Sequence, residues 1–193
     1  VVQFGNTAQT VLPWTNVNDS GTLKDDAERA IESVEVNYLV EADKDYWDED
    51  KAAKAYIIAL GVNDIFNAGQ PVGSVEDVCM DDYNKNADTF AGHYAKIIQR
   101  YKEIQPDAKF FLVNKPKDRR DDRRNAAKDM TDLLYDFAQL FSNTYVIDLR
   151  EYGPVYDDEF CKRFFLGGHM NAAGYVLTAK MMVSYIDYII RHN

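Results

Sequence analysis

The chain has 193 residues, of which 46% are hydrophobic, so it is long enough to form one domain with a sizeable core. It carries 22 basic and 32 acidic residues, and the resulting net charge of −10 favours solubility. That charge argues against a nucleic-acid partner, because binding to a phosphate backbone needs a positive field. The sequence also has no uninterrupted apolar run of membrane-spanning length.

Three short runs predict buried strands: residues 55–60 (AYIIAL), 109–113 (KFFLV) and 144–149 (TYVIDL). Each is continuously apolar rather than alternating, which is typical of a strand that is covered on both faces. Residues 1–4 suggest a further strand. The sequence therefore predicts a sheet that is sandwiched between other elements.

Helices are predicted over residues 86–104, 125–141 and 171–190, where apolar side chains recur with a period of 3.6 residues. Asn171 is a suitable N-cap for the last of them. Strands that alternate with helices imply right-handed crossovers and a parallel sheet. We therefore predict an α/β fold, a three-layer α/β/α sandwich, with residues 1–193 forming a single domain.

Two stretches of mixed charge, residues 41–51 and 115–128, are predicted to be solvated loops or helix starts. The basic residues of the second stretch are largely cancelled by Asp118, Asp121 and Asp122, which argues against an anion-binding patch. Cys79 and Cys161 are too few for a disulfide framework and lack the spacing of a zinc site, so we expect ordinary packing residues. No metal site is predicted. No glycine-rich phosphate loop is present, and we expect no nucleotide or other cofactor.

The tetrapeptide at residues 61–64 (GVND) follows the first buried strand directly. Ligands of a parallel sheet bind at the carboxyl ends of its strands, so these residues are well placed for chemistry. Gly61 allows a sharp turn, and the amide of Asn63 can donate a hydrogen bond to a developing oxyanion. By itself the motif is equally compatible with a simple turn that ends a strand.

A second motif, residues 167–174 (GGHMNAAG), places His169 on a glycine-flanked loop before the last helix. The other two histidines, His93 and His192, are interpreted as surface residues because one is within a helix and the other is at the C-terminus. Together, the two motifs resemble the third and fifth conserved blocks of SGNH/GDSL-like hydrolases, and the resemblance covers nearly the whole chain. It implies that the fold is an α/β/α sandwich of the flavodoxin-like kind and that the reaction is ester hydrolysis.

In that family a serine attacks the ester, a histidine is its base, and a glycine N–H and an asparagine amide bind the oxyanion. The resemblance implies that His169 is the base and Asn63 an oxyanion donor. Three alignments of the remaining blocks stay open. The one we favour makes Gly5 the second donor, with a nucleophile strand upstream of Val1. In another, Thr7 is the nucleophile. In the last it is Ser20, for which a plain turn residue is the simpler interpretation.

The family's acid lies three residues before its histidine, and here that position is Leu166. A triad acid stabilises the imidazolium, so a leucine there predicts a slower enzyme, a dyad, or an acid supplied by Asp157, Asp158 or Glu159. The leading hypothesis is an esterase or acetylesterase acting on a small or carbohydrate-linked ester, with Trp14, Trp47, Tyr152 or Tyr156 available to stack on a sugar. The alternatives are a catalytically impaired binding module and an unrelated flavodoxin-like domain.

Overall fold

The computed structural model describes residues 2–3, 9–10, 52–118 and 124–193, and the side chains of residues 52–118 and 125–193. Near the start of the chain, β1 (Val2–Gln3) pairs antiparallel with β2 (Gln9–Thr10). Within the predicted strand at residues 1–4, the described residues Val2 and Gln3 are in a strand, which pairs with β2 in a separate two-stranded sheet.

The central sheet has three parallel strands in the order β3–β4–β5. They are β3 (Ala55–Ile58), β4 (Lys109–Val113) and β5 (Thr144–Ile147). All three coincide with the predicted apolar runs, although β3 and β5 end two residues earlier than expected. In β5 the reason is Asp148, whose side chain accepts a hydrogen bond from the Glu151 N–H and starts a short helix.

Helices connect and cover these strands. A π-helix (Val62–Asn67) and two 3₁₀ turns (Val75–Asp77 and Tyr83–Lys85) lead from β3 to α1 (Phe90–Ile104), and α2 (Arg124–Leu140) joins β4 to β5. After β5 come α3 (Leu149–Tyr152) and α4 (Asp158–Phe164), the strands β6 (Phe165–Leu166) and β7 (His169–Met170), and α5 (Ala172–His192). The three long helices are those that the sequence predicts.

The buried side chains form two hydrophobic clusters, one on each face of the sheet. β4 contributes to both, because successive side chains of a strand point to opposite faces. Phe110 and Leu112 pack with the helices α1 and α2, whereas Phe111 and Val113 pack with α5. The sheet thus lies between two helical layers. This arrangement confirms the predicted three-layer α/β/α sandwich and directs the carboxyl ends of β3, β4 and β5 toward one edge.

Candidate functional site

Gly61 turns the chain sharply at the carboxyl end of β3. Its φ of 108° lies in the left-handed region that glycine adopts without strain. A Cβ at this position would lie 2.5 Å from a ring carbon of Phe90, on the first turn of α1. Both the turn and the close packing therefore require glycine, and together they fix where the next residues begin.

Asn63 lies in the π-helix that follows. The Ala68 N–H donates to the Asn63 carbonyl oxygen at 2.9 Å, a contact five residues along the chain that defines this wider turn. The side chain of Asn63 is half-buried, and its Oδ1 accepts a hydrogen bond of 2.7 Å from Nδ2 of Asn67. The opposite end of this amide, Nδ2, carries the two N–H groups that can donate to an acceptor.

His169 lies in the second strand of a β-hairpin, whereas the sequence predicts a glycine-flanked loop there. Leu166 pairs with His169 and Phe165 with Met170, and Gly167 and Gly168 form the two-residue turn between them. Gly167 has a φ of 63°, as tight hairpin turns of this kind require. The imidazole is exposed, and within residues 52–118 and 125–193 its ring forms no hydrogen bond.

The hairpin is held at its base by Asn171. The side chain of Asn171 accepts a hydrogen bond of 3.0 Å from the Gly174 N–H, which confirms the predicted N-cap of α5. Its Nδ2 also donates to the carbonyl oxygen of Arg163 at 2.8 Å, near the end of α4. One side chain therefore links α4 to α5 and fixes the two ends of the hairpin that carries His169.

A cavity of about 310 Å³ lies where the two sequence motifs meet. Val62 contributes to it from the residue beside Asn63, and Gly168 from the residue beside His169. The remaining lining residues are Lys115, Pro116, Asp118, Tyr156, Cys161, Phe165 and Gly167. The fold thus brings the two motifs, which are distant in the sequence, to one cavity at the carboxyl end of the sheet, where ligands of such sheets bind.

An ion pair lines this cavity. Nζ of Lys115 lies 2.9 Å from Oδ2 of Asp118, and the two side chains are only 13% and 10% exposed. The same ammonium lies 5.3 Å from the centre of the Phe66 ring, within range of a cation–π contact. The prediction of a solvated charged stretch is therefore wrong for Lys115 and Asp118. Both residues follow the carboxyl end of β4 and lie in the cavity wall.

Tyr156 forms another part of the wall and is buried. Its ring stacks on Phe160 with ring centres 4.5 Å apart, and its N–H donates to the Lys117 carbonyl oxygen at 2.7 Å. Burial raises the pKa of the Tyr156 phenol above its ordinary value. Tyr152 is instead 83% exposed and lines a separate cavity along β5, while Trp14 and Trp47 lie outside the described residues.

The acidic residues considered as the partner of His169 belong to the start of α4. Asp157 is the N-cap, and its side chain accepts a hydrogen bond of 2.8 Å from the Phe160 N–H. Glu159 forms an ion pair with Arg163 one turn along the same helix. Asp158 lies between them in the first turn. Asp157 and Glu159 make these contacts within α4, and no hydrogen bond joins either carboxylate to the imidazole of His169 among the described residues.

The other proposed site residues, Gly5, Thr7 and Ser20, lie outside the described residues. His192 is exposed, as expected for a surface residue, whereas the side chain of His93 is only 16% exposed. Nε2 of His93 lies 2.8 Å from the exposed carboxylate of Asp88, and Nδ1 of His192 lies 2.7 Å from the Tyr188 carbonyl oxygen in the last turn of α5.

A second polar cluster, which the sequence does not predict, lies at the ends of β4 and β5. Nδ2 of Asn114 donates to Oδ1 of Asp148 at 2.6 Å, and the Tyr135 hydroxyl donates to Oδ2 at 2.9 Å. Burial opposes ionisation of Asp148, but its hydrogen bonds with Asn114, the Glu151 N–H and Tyr135 outweigh burial and hold its pKa below the usual value. The position of Asn114 directly after an apolar strand was the available signal, as it was for Lys115.

Both cysteines have free thiols. In the part of the chain that the structure describes, no group of three or more histidine, cysteine or acidic side chains is arranged to hold a metal ion. Among the described helices, none is long and apolar enough to cross a bilayer.

Comparison with known proteins was informative at the level of the family. The model of the GDSL-like lipase/acylhydrolase family matches residues 14–177, a range that includes Ser20, Asn63 and His169 and begins after Gly5 and Thr7. Neither the curated proteins nor the solved structures gave a match. Because the family model covers most of the chain, and because the fold places the two motifs at one cavity, the chain belongs to the GDSL-like lipase/acylhydrolase family.

Proposed function

We propose that this chain hydrolyses carboxylic esters by acyl transfer, with His169 as the general base and Asn63 as an oxyanion donor. The observation that carries the proposal is the cavity lined by Val62 and Gly168, which are the immediate neighbours of these two residues. Asn63 would supply the donor from the turn after β3, and His169 would supply the base from the β6–β7 hairpin. Acyl transfer by a hydroxyl nucleophile needs both functions at one carbonyl group.

In the proposed reaction a hydroxyl oxygen adds to the ester carbonyl carbon, and its proton passes to His169. The carbonyl electron pair moves to the oxygen, which receives hydrogen bonds from the Asn63 amide and, as we propose, from the Gly5 N–H. Collapse of this intermediate expels the alcohol, which takes the proton from the imidazolium. Water then repeats the sequence and releases the acid. The candidates for the hydroxyl are Thr7, Ser20 and a serine upstream of Val1.

The size and lining of the cavity favour a small substrate. A volume of about 310 Å³ is at the lower end of the range for ligand pockets. The rings of Tyr156 and Phe165 offer apolar surface, and the Lys115–Asp118 pair offers polar groups to hydroxyls. We therefore propose a short acyl group, such as acetyl, on a small or carbohydrate alcohol.

One observation favours the second candidate, a binding module that retains the fold but has lost its activity. Leu166 occupies the family's acid position and is 75% exposed opposite His169, where it cannot stabilise an imidazolium. Such a module would bind the ester or its alcohol in the same cavity without turning it over.

Turnover of p-nitrophenyl acetate by the wild type and by Asn63→Ala and His169→Ala separates the two candidates. We expect kcat to fall by about 10²–10³ when the oxyanion donor is removed, and at least as far when the base is removed. His192→Ala, which alters an exposed histidine in the last turn of α5, is the matched control and should retain activity. A wild type no faster than the two site variants would exclude the esterase.

A fluorophosphonate probe followed by mass spectrometry identifies the nucleophile, since it labels an activated hydroxyl covalently. Labelling of Thr7 or Ser20 would decide between the two alignments within this sequence. Binding of p-nitrophenyl acetate without turnover, together with no labelling by the probe, would support the binding module.

A further inference from the structure

The side-chain amide of asparagine has two chemically different ends, and only one of them serves an oxyanion. Nδ2 donates hydrogen bonds and Oδ1 accepts them. If the amide of Asn63 rotated by half a turn, Oδ1 would face the developing negative charge and repel it. An asparagine that acts as an oxyanion donor therefore benefits from a partner that fixes which end faces the substrate.

Asn67 makes such a contact. Its Nδ2 lies 2.7 Å from Oδ1 of Asn63, at the short end of the range for N–H···O hydrogen bonds. The contact joins two residues of the same helical element, four positions apart, which places their side chains on one face. The bond from the Ala68 N–H to the Asn63 carbonyl oxygen fixes the backbone of Asn63 at this turn.

The surroundings of the two amides differ. Asn63 is half-buried, whereas Asn67 is exposed at the last residue of the π-helix. The cavity wall at this turn is formed by Val62, at the opposite end of the same element. Asn67 is thus placed to act on Asn63 and not on a bound ester.

We propose that Asn67 is a positioning residue, whose side-chain N–H groups hold the carbonyl end of the Asn63 amide so that Nδ2 of Asn63 faces the oxyanion. This inference rests on the proposed function of Asn63. It adds a second asparagine to the site, one that contributes through the orientation of the first.

Two substitutions separate orientation from simple loss of a contact. Asn67→Ala removes the donor, and we expect kcat to fall by about tenfold, because Asn63 then samples both orientations. Asn67→Asp has nearly the same shape but only accepts, so it attracts Nδ2 of Asn63 and turns Oδ1 toward the oxyanion. We expect it to lower kcat by about 10²-fold, close to Asn63→Ala, with KM for p-nitrophenyl acetate nearly unchanged. Gln70→Glu places the same added charge three residues away and should retain activity.

A double-mutant cycle identifies the route of the effect. If Asn67 acts through Asn63, then Asn67→Asp should cost no further activity in a chain that already carries Asn63→Ala. Equal losses in both backgrounds would mean that Asn67 acts independently of Asn63 and would overturn the inference.

A measurement without turnover keeps this test separate from that of the esterase. The ¹³Cγ resonance of Asn63, assigned by its absence in Asn63→Ala, reports whether Oδ1 accepts a hydrogen bond. We expect Asn67→Ala to shift this resonance and Gln70→Glu to leave it in place. An unmoved resonance in Asn67→Ala would overturn the inference, whereas a shifted resonance in a protein without esterase activity would refute only the proposed function.

Discussion

Leu166 lies directly opposite His169 across the two-residue turn of the β6–β7 hairpin. Residues paired in this way have Cβ atoms about 4.5–5.5 Å apart on the same face of the ribbon. The position where the family carries its acid is therefore adjacent to the imidazole in space, but here it is filled by an apolar side chain. An acid at this position needs one substitution and no change of the backbone.

The first prediction follows from that register. Leu166→Asp should raise kcat for p-nitrophenyl acetate by about two- to fivefold, because a carboxylate beside the imidazole stabilises the imidazolium that forms in the reaction, while solvent at this exposed site limits the gain to about 1 kcal/mol or less. Turnover by the wild type and the variant measures the change. Leu166→Asn, which is isosteric but neutral, is the control. Equal rates in the two variants would show that a carboxylate at this position does not act on His169.

The second prediction concerns Gly61. Gly61→Ala should lower the free energy of unfolding by about 2–5 kcal/mol, because the methyl group would collide with the Phe90 ring and the backbone would remain at a φ of 108°. Gly69→Ala is the matched control. Gly69 also has a positive φ, of 70°, but nothing lies within 4 Å of a Cβ there, so only the backbone strain of about 1 kcal/mol applies. Equal losses, measured by urea denaturation, would mean that the contact with Phe90 contributes nothing.

The third prediction uses the Lys115–Asp118 pair. Lys115→Met should destabilise the protein by about 2–4 kcal/mol, since it removes the ammonium that lies 2.9 Å from a largely buried carboxylate. Adding Asp118→Leu to that variant should restore part of the loss, because the carboxylate that interacted with Lys115 is removed with it. Chemical denaturation of the two single variants and the double variant measures the coupling. Additive losses would contradict a direct interaction between the two side chains.

The fourth prediction is a pH dependence from Asp148. Its pKa is lower in the folded chain than its usual value, so its ionised form adds stability above the unfolded pKa of about 4. That contribution should be lost as the pH falls from about 4 through the lower, folded pKa. Asp148→Asn should flatten this part of the plot of melting temperature against pH. Asp136→Asn, on an exposed position of α2, should not, and an unchanged slope in Asp148→Asn would refute the assignment.

The strands and long helices could be predicted from sequence because local pattern determines them. Residues 109–113 form a continuous apolar run, and β4 has those same bounds because α1 and α2 cover one face and α5 the other. The N-cap at Asn171 was also predictable, since its side chain bonds to a backbone group three residues away.

The parts that escaped prediction depend on long-range contacts or on geometry without a sequence period. A π-helix has no apolar repeat to reveal it, so the contact between Asn67 and Asn63 was not foreseen. The burial of Lys115 arises only when β4 lies beside β3. The hairpin around His169 was taken for a loop because each of its strands has only two residues, too few for an alternating pattern.

The two halves of the site are supported very differently by the fold. Asn63 follows a turn that is packed against Phe90 in the main core, whereas His169 is exposed on a two-stranded hairpin whose base is bonded to Asn171. Regions with few buried contacts open at a lower free energy than the core does. On warming, we therefore expect amide hydrogens near His169 to exchange with solvent before those near Asn63. Any activity should then fade at temperatures where the sheet and its helices are still intact.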